Sequence, residues 1–471
     1  MGEPAYDIGI IGLGVMGRNL ALNMLDHGFG VAGFNRHLEK VSLLLQEAGE
    51  GNVLGAKSLD ELAKALQKPR VVMMMVPAGR AVDEVIDELL PYLDAGDLII
   101  DGGNSHYKDT DTRAKSLGEK RIHFLGVGIS GGEKGARRGP SIMPGGPKEG
   151  YERVRNIFEA VAAKVDGEPC VTYLGPGSAG HYVKVVHNGI EYALMQLIAE
   201  TYDLMNRSLG LSNDELAEVY ESWNNAELQS FLIEITADIF RRVDDKTGSK
   251  LIDEILDRAG QKGTGKWTSQ DAMDLQVPVP TIDTAVSMRD LSGYKDQREA
   301  ASGILSGPTP RYDGDKDAFI GTVRNGLYAA MITTYAQGMA LLQRASDVYD
   351  YGLALDEVAR IWRGGCIIRA GLLEDIRSAF QSRRMLPNLM LDAELSRAIM
   401  ERHDDLRQVI RAAVASGIPV SGFMASLGYL DAFRSGRLPA NLIQAQRDFF
   451  GSHTYERIDE KGTFHTIWDR D

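Results

Sequence analysis

The chain has 471 residues, too many for one typical hydrophobic core, so two or three domains are expected. Its 44% apolar and 25% charged residues are ordinary for a globular protein, and its formal net charge of −14 excludes a general nucleic-acid binder, whose target phosphates need a basic footprint. Any anionic ligand must be met by a few placed cations. No apolar stretch reaches the roughly 18 residues of a membrane span. Two cysteines, Cys170 and Cys366, are too few for a disulfide framework or a structural zinc site, and both read as small buried side chains. With no basic leader before Tyr6, a reducing cytoplasm is the expected compartment.

In chain order, the first part alternates short apolar runs with amphipathic segments. Runs at Asp7–Ile11, Val31–Phe34, Val71–Val76, Leu98–Ile100, His123–Val127 and Val171–Leu174 predict strands between helices, hence a mostly parallel sheet covered on both faces. From Gly180 the pattern turns to long helical stretches, as in His181–Ser208 and Thr322–Ala345. This second part carries a faint duplication: His187-Asn188-Gly189 pairs with Arg324-Asn325-Gly326, and Asp214-Glu215-Leu216-Ala217 with Asp356-Glu357-Val358-Ala359. The first copy has His187 and Glu191 where the second has Arg324 and Tyr328, so only one copy is expected to do chemistry. From about Gly436 the chain is polar and interrupted by Pro439, Gly451 and Gly462, with little helix signal. Its Phe449, Phe450, Tyr455, Phe464 and Trp468 predict a segment that docks, on another subunit if not on its own. The expected architecture is an α/β Rossmann-type domain (1–178), a large all-α domain with internal duplication (179–436) and a C-terminal tail (437–471).

Gly12-Leu13-Gly14-Val15-Met16-Gly17 follows the first strand and opens the amphipathic segment Arg18–Leu25. Glycines at this spacing allow a tight turn, close approach to a pyrophosphate and tight helix–strand contact, while the helix N-terminus offers free N–H groups. The loop is therefore assigned to a dinucleotide. An NAD site would place Asp or Glu about 20 residues further on, to grip the ribose hydroxyls. The second strand instead runs into Asn35-Arg36-His37, with no acid. Arg36 offers a guanidinium fork to a 2′-phosphate with His37 beside it, so NADP is expected over NAD.

Two further glycine loops mislead. Gly175-Pro176-Gly177-Ser178-Ala179-Gly180 fits the dinucleotide spacing but leads into a long helix with no second strand, so it reads as a passage between domains. Gly260-Gln261-Lys262-Gly263-Thr264-Gly265-Lys266 fits the start of a P-loop, but Trp267 stands where Ser or Thr must bind Mg²⁺, and the preceding LIDEILDRAG reads as helix. What remains is a dense array of backbone donors with two lysines, suited to a small phosphate.

The segment GHYVKVVHNGIEYALMQL carries the strongest candidates. On a helical wheel starting at Val183, His187, Glu191, Lys184 and Asn188 fall at about 40°, 80°, 100° and 140°, beside an apolar arc formed by Val183, Val186, Ile190 and Leu194. The alternative is a solvated helix face with a Lys184–Glu191 interaction across two turns. No cluster has metal-ligand spacing: His181, Lys184 and His187 share a face, but a lysine between two histidines opposes a cation.

At these residues the chain resembles the decarboxylating 6-phosphogluconate dehydrogenases, through GLGVMGRNLALNM, IIDGGNSHY, GISGGEKGARRGPSIMPGG, GHYVKVVHNGIEY, AGQKGTGKW, IWRGGCIIR and RLPANLIQAQRDFFGSHTYE. The resemblance implies that Lys184 is the general base and Glu191 the general acid. It assigns Ser130, Gly131 and Gly132, with His187, Asn188 and Tyr192, to substrate. Lys262, Thr264 and Arg289 match its phosphate side, and Asn104 touches both substrate and cofactor. Val76, Pro77 and Ala78 join the cofactor contacts, and Arg447 and His453 are contributed by the tail to a partner subunit's site, which implies a homodimer. His37 stands where the family commonly has Thr, and Pro77 where many members have Lys; Lys134 and Arg138 also differ from the usual residues. The implied reaction is metal-independent oxidative decarboxylation of 6-phosphogluconate. A non-decarboxylating β-hydroxyacid dehydrogenase and a non-catalytic NADP-binding subunit are the competing readings.

Overall fold

The computed structural model describes residues 6–468. The first domain is built on a sheet of seven strands in the order β3-β2-β1-β4-β5-β6-β7. Its strands are β1 (Ile8–Ile11), β2 (Val31–Phe34), β3 (Val53–Ala56), β4 (Val71–Met74), β5 (Leu98–Asp101), β6 (His123–Ser130) and β7 (Ser141–Gly145). The first six run parallel; β7 returns antiparallel to β6. Helices α1 (Val15–Asp26), α2 (Leu38–Ala48), α3 (Leu59–Ala65), α4 (Arg80–Leu89), α5 (Tyr107–Glu119), α6 (Gly132–Arg138) and α7 (Lys148–Val161) cover the two faces. β1, β4 and β5 are buried along their whole length, as strands with helices on both faces must be.

The differences from expectation are at the sheet's edges. β3 and β7 are additional strands: VLGA is an incompletely buried edge, and SIMPG contains a proline, which argues against a central strand. Val171–Leu174 is reduced to a single bridge between Ile142 and Val171, because the Val171 N–H turns back to the Pro169 carbonyl at 2.8 Å. A short ribbon, β8 (Lys164–Val165) with β9 (Glu168–Pro169), precedes it.

The helical domain begins at α8 (Ala179–Leu209), followed by α9 (Asn213–Asn224), α10 (Phe231–Arg241), α11 (Leu251–Glu254), α12 (Thr264–Asp274), α13 (Pro280–Ser292) and α14 (Lys295–Ser302). Its second half comprises α15 (Lys316–Val348), α16 (Leu355–Trp362), α17 (Leu372–Ser382), α18 (Ala393–Met400), α19 (His403–Ala415) and α20 (Ser421–Phe433). LIDEILDRAG is helical only over α11; Ile255 and Leu256 lie exposed, and Asp257 ties the loop to Arg298 at 2.8 Å and Lys295 at 2.7 Å.

The duplication is real in three dimensions. α8 packs on α15; α12 crosses α8 as α19 crosses α15, and α13 meets α20. The halves also cap each other. Glu200 of α8 accepts the Gly422 and Phe423 N–H groups at 2.7 and 3.1 Å, at the start of α20. Gln337 of α15 accepts the Thr281 N–H at 3.0 Å, at the start of α13. Each cap satisfies helix-end donors that burial would otherwise leave unpaired. One continuous apolar core runs through both halves.

The tail departs from expectation by forming a helix, α21 (Ala440–Gly451), just after Pro439, before a ribbon of β10 (Tyr455–Glu456) and β11 (Thr463–Phe464). Proline precedes the first turn, where no N–H is needed, so it starts this helix rather than breaking it. Asp448 organises the tail. Fully buried, it accepts from Thr454 N at 2.9 Å, Thr466 N at 3.0 Å and Trp468 Nε1 at 2.9 Å, with His465 Nδ1 at 2.9 Å.

Candidate active site

The first turns of α8 lie across β6 and β7, where the sheet lacks side chains. A Cβ on Gly128 would stand 2.4 Å from the Lys184 Cβ, and one on Gly180 would stand 2.2 Å from the Met143 carbonyl oxygen. These glycines let the helix backbone settle on the strands and bring Lys184 to the carboxyl end of the sheet, where ligands of open α/β sheets bind. There an open cleft of about 1250 Å³, counted out to its mouth, is lined from both domains. Met16, Asn104, Ser130, Gly131 and Gly132 come from the sheet side. Lys184, Asn188, Glu191, Tyr192, Lys262, Thr264 and Arg289 come from the helices and the loop before α12.

Lys184 is buried and forms no ion pair among the described residues; its side chain lies within hydrogen-bond distance of His187 Nδ1, at 3.5 Å. Burial lowers its pKa below the ordinary lysine value, against the opposing pull of Glu191 and Cys366. Glu191 moves the other way: burial raises its pKa, while Lys184 and Arg289 pull it down. A lysine and a carboxyl whose charged forms are both disfavoured by burial thus share one cleft, and shifts in these directions are the ones that suit acid–base exchange.

His187 lies fully buried behind the cleft's lining. It touches Ser130 Oγ at 3.4 Å, Asn188 Oδ1 at 3.0 Å and the edge of Trp362, and burial together with Lys184 holds its pKa well below the usual imidazole value. Asn188 in turn donates to Thr264 Oγ1 at 3.0 Å, joining α8 to the start of α12. Arg289 lies over the Tyr192 ring with 3.5 Å between guanidinium carbon and centroid, so the ring fixes a cation at the cleft wall. Lys262 is exposed on its loop. Asp271, buried on α12, left no sign in the sequence; it accepts from Tyr107 on α5, Tyr182 on α8 and Tyr349 beyond α15, binding α12 to both domains.

The glycine loop fits a dinucleotide. A Cβ on Gly17 would fall 2.0 Å from the Gly12 carbonyl oxygen, whereas one on Gly14 would meet nothing, leaving open approach for a pyrophosphate. Leu13 is buried, and its N–H donates to Asn35 Oδ1 at 3.0 Å, so Asn35 supports the loop from behind. Val15, at the head of α1, is exposed. A pocket beyond β1 and β2 collects Asn35, Arg36, His37, Val76 and Pro77; Ala78 is exposed next to it in the chain. Lys40 and Glu88 also line this pocket, and neither was anticipated. Lys40 follows Arg36 at helical spacing, a signal the sequence did carry; Glu88 comes from α4 and left none. Arg447 and His453 lie exposed on the tail and do not line the cleft of their own chain. Among the described residues no three His, Cys, Asp or Glu side chains gather as a metal site, and no described helix is long and apolar enough to cross a membrane.

A glycine-loop fold with an acid–base pair at the mouth of its sheet defines a nicotinamide-dependent dehydrogenase. Residues 7–175 match the NAD binding domain of 6-phosphogluconate dehydrogenase and residues 180–468 its C-terminal domain. The chain is 54% identical over 462 residues to the NADP(+)-dependent, decarboxylating 6-phosphogluconate dehydrogenase of Bacillus subtilis, covering 98% of each chain. It is 54% identical over 464 residues to the decarboxylating enzyme of Synechococcus elongatus, again covering 98% of each. A solved Plasmodium falciparum 6-phosphogluconate dehydrogenase superposes with a TM-score of 0.93 at 46% identity, over 98% of this chain and 100% of that one. The chain belongs to the 6-phosphogluconate dehydrogenase family.

Proposed function

We propose that the chain oxidises 6-phospho-D-gluconate with NADP and releases CO₂ to give D-ribulose 5-phosphate, in the cytoplasm and as a homodimer. The observation that carries this reading is Lys184 and Glu191 in one cleft, with pKa values displaced in opposite directions. Bound NADP supplies the hydride acceptor; the acid–base work falls to this chain.

Neutral Lys184 takes the C3 hydroxyl proton as hydride leaves C3. The resulting β-keto acid loses CO₂ because the bond's electrons flow onto the C3 oxygen, where the ammonium of Lys184 stabilises the growing charge. Glu191 then protonates C1 of the enediol. Lys262 and Arg289 hold the substrate phosphate, Ser130, Gly131, Gly132, Asn104, Asn188 and Tyr192 contact the sugar acid, and His187 supports Lys184 from behind.

Residues 1–178 serve the dinucleotide, 179–436 the substrate and dimerisation, and 437–471 a partner's site. Arg447 and His453 would complete the phosphate pocket of the partner; the exposed Leu442, Ile443, Phe449 and Phe450 on the tail favour such docking. The test is NADPH and ribulose 5-phosphate formation from 6-phosphogluconate, with and without EDTA. Equal amounts of both products, unaffected by EDTA, are expected. Oxidation without CO₂ release would favour a non-decarboxylating dehydrogenase, and loss of activity with EDTA, restored by Mg²⁺, would refute lysine as the electrophile.

A further inference from the structure

The end of β2 lacks the carboxylate that would grip an NAD ribose, yet the folded pocket contains one. Glu88, in the last turn of a different helix, α4, lines the same pocket as Asn35, Arg36, His37 and Lys40. Its Oε1 takes a hydrogen bond from Arg36 Nη2 at 2.8 Å, and Glu84, one turn earlier, stands 3.6 Å from Arg36 Nη1. Glu84 is shared with Arg80 at 2.9 Å; among the described residues Arg36 is the only ion-pair partner of Glu88.

The guanidinium assigned to a 2′-phosphate is therefore already held by a carboxylate. A phosphate dianion arriving there must part this pair and then sit beside the released negative charge. An unphosphorylated ribose meets no such opposition, since its hydroxyl can donate to the carboxylate, as at NAD sites generally. We infer that Glu88 is a specificity-determining residue, which draws Arg36 away from the 2′-phosphate and offers the ribose an acceptor, so that the chain binds NAD as a second cofactor and prefers NADP less than Arg36 alone would make it. This rests on the NADP-dependent reading above. Lys40 is the counterweight: it lines the pocket with no ion-pair partner among the described residues, and keeps the balance on the side of the phosphate.

The test is calorimetric titration of the full-length chain with NADP⁺ and with NAD⁺, for the wild type, Glu88→Gln and the charge-matched control Asp87→Asn, an exposed neighbour on the same helix. Because the Arg36–Glu88 pair is solvent-exposed, the effect is moderate: Glu88→Gln should tighten NADP⁺ about 5-fold and weaken NAD⁺ about 2-fold, moving the preference about 10-fold. Asp87→Asn should leave that ratio within about 2-fold, since its charge acts only through screened solvent. The proposal is overturned if Glu88→Gln moves the ratio by less than twofold, or if Asp87→Asn moves it equally. A wild type that binds NADP⁺ but not NAD⁺, or whose ratio Glu88→Gln leaves unmoved, sinks this inference alone; one that does not bind NADP⁺ sinks the functional reading as well.

Discussion

α8 and α15 each cross a shorter helix at an Asn-Gly pair. On α8, Asn188 donates to Thr264 and Gly189 lies against Thr268 of α12; on α15, Asn325 donates to Asp405 at 2.7 Å and Gly326 lies against Leu406 and Val409 of α19. Beyond that joint they diverge. The polar arc of α15 is neutralised within its own domain: Arg324 stands 3.6 Å from Glu227, which also pairs with Arg402 at 2.7 Å, and Arg402 lies over Tyr328. The corresponding arc of α8 faces the sheet and the cleft, and its Lys184 has no such partner. The same crossing geometry thus yields a structural brace in one copy and a displaced acid–base pair in the other. The difference lies in whether neighbours satisfy the charges.

The largest effect should separate the copies outright. Lys184→Met is expected to lower turnover by about 10³-fold or more, measured as NADPH formation, whereas Arg324→Met should stay within about twofold and cost on the order of 1 kcal/mol, because the pair is only half-buried and Arg402 still meets Glu227. Comparable losses from both would break the contrast.

The reciprocal caps give the next. Burial pushes the Glu200 carboxyl up to about 7, while Gln337 carries no charge to titrate. Because the folded state then holds its proton above the ordinary value of 4.5, folding binds protons, and stability should fall as pH rises from about 4.5 to about 7 and level off beyond. The full contribution is on the order of 3 kcal/mol. Glu200→Gln should flatten that part of the pH–stability curve in denaturant titrations, and an unchanged slope would exclude this group as its source.

The smallest concerns the glycines. A Cβ at Gly189 would meet Thr268 at 2.6 Å, one at Gly326 would meet Val409 at 3.1 Å. Alanine gains up to about 1 kcal/mol of helix propensity at either site, while overpacking costs about 1–3 kcal/mol. Gly189→Ala should therefore lose about 1–2 kcal/mol net and Gly326→Ala should stay within about 0.5 kcal/mol of wild type, in thermal or denaturant melts. A reversed order would mean that the crossing of α8 with α12 is not the tighter of the two.

Much of this was legible in the chain. Periodicity placed Lys184, His187, Asn188 and Glu191 on one arc, and the Asn-Gly pairs announced the repeat, because helices write local spacing into sequence. What was lost depends on distant partners. Glu200 meets Gly422 across 222 positions, Glu88 reaches Arg36 across 52, and Asp271 gathers three tyrosines from separate elements. The tail helix was hidden by a proline whose meaning depends on its place before the first turn. β7 was hidden by a proline tolerated only because that strand lies outside the parallel ladder.

The mutual capping of the two halves has a consequence for the covalent chain itself. Residues 303–315, between α14 and α15, are almost wholly exposed, with Ile304 and Leu305 uncovered, while the two helical halves they connect are joined by a common core. A protease that nicks this stretch should yield two fragments that co-elute under native conditions and part only in denaturant, with Lys184, Glu191 and Arg289 all left on the first. The peptide link there is a tether to assembly, dispensable once the pieces have met.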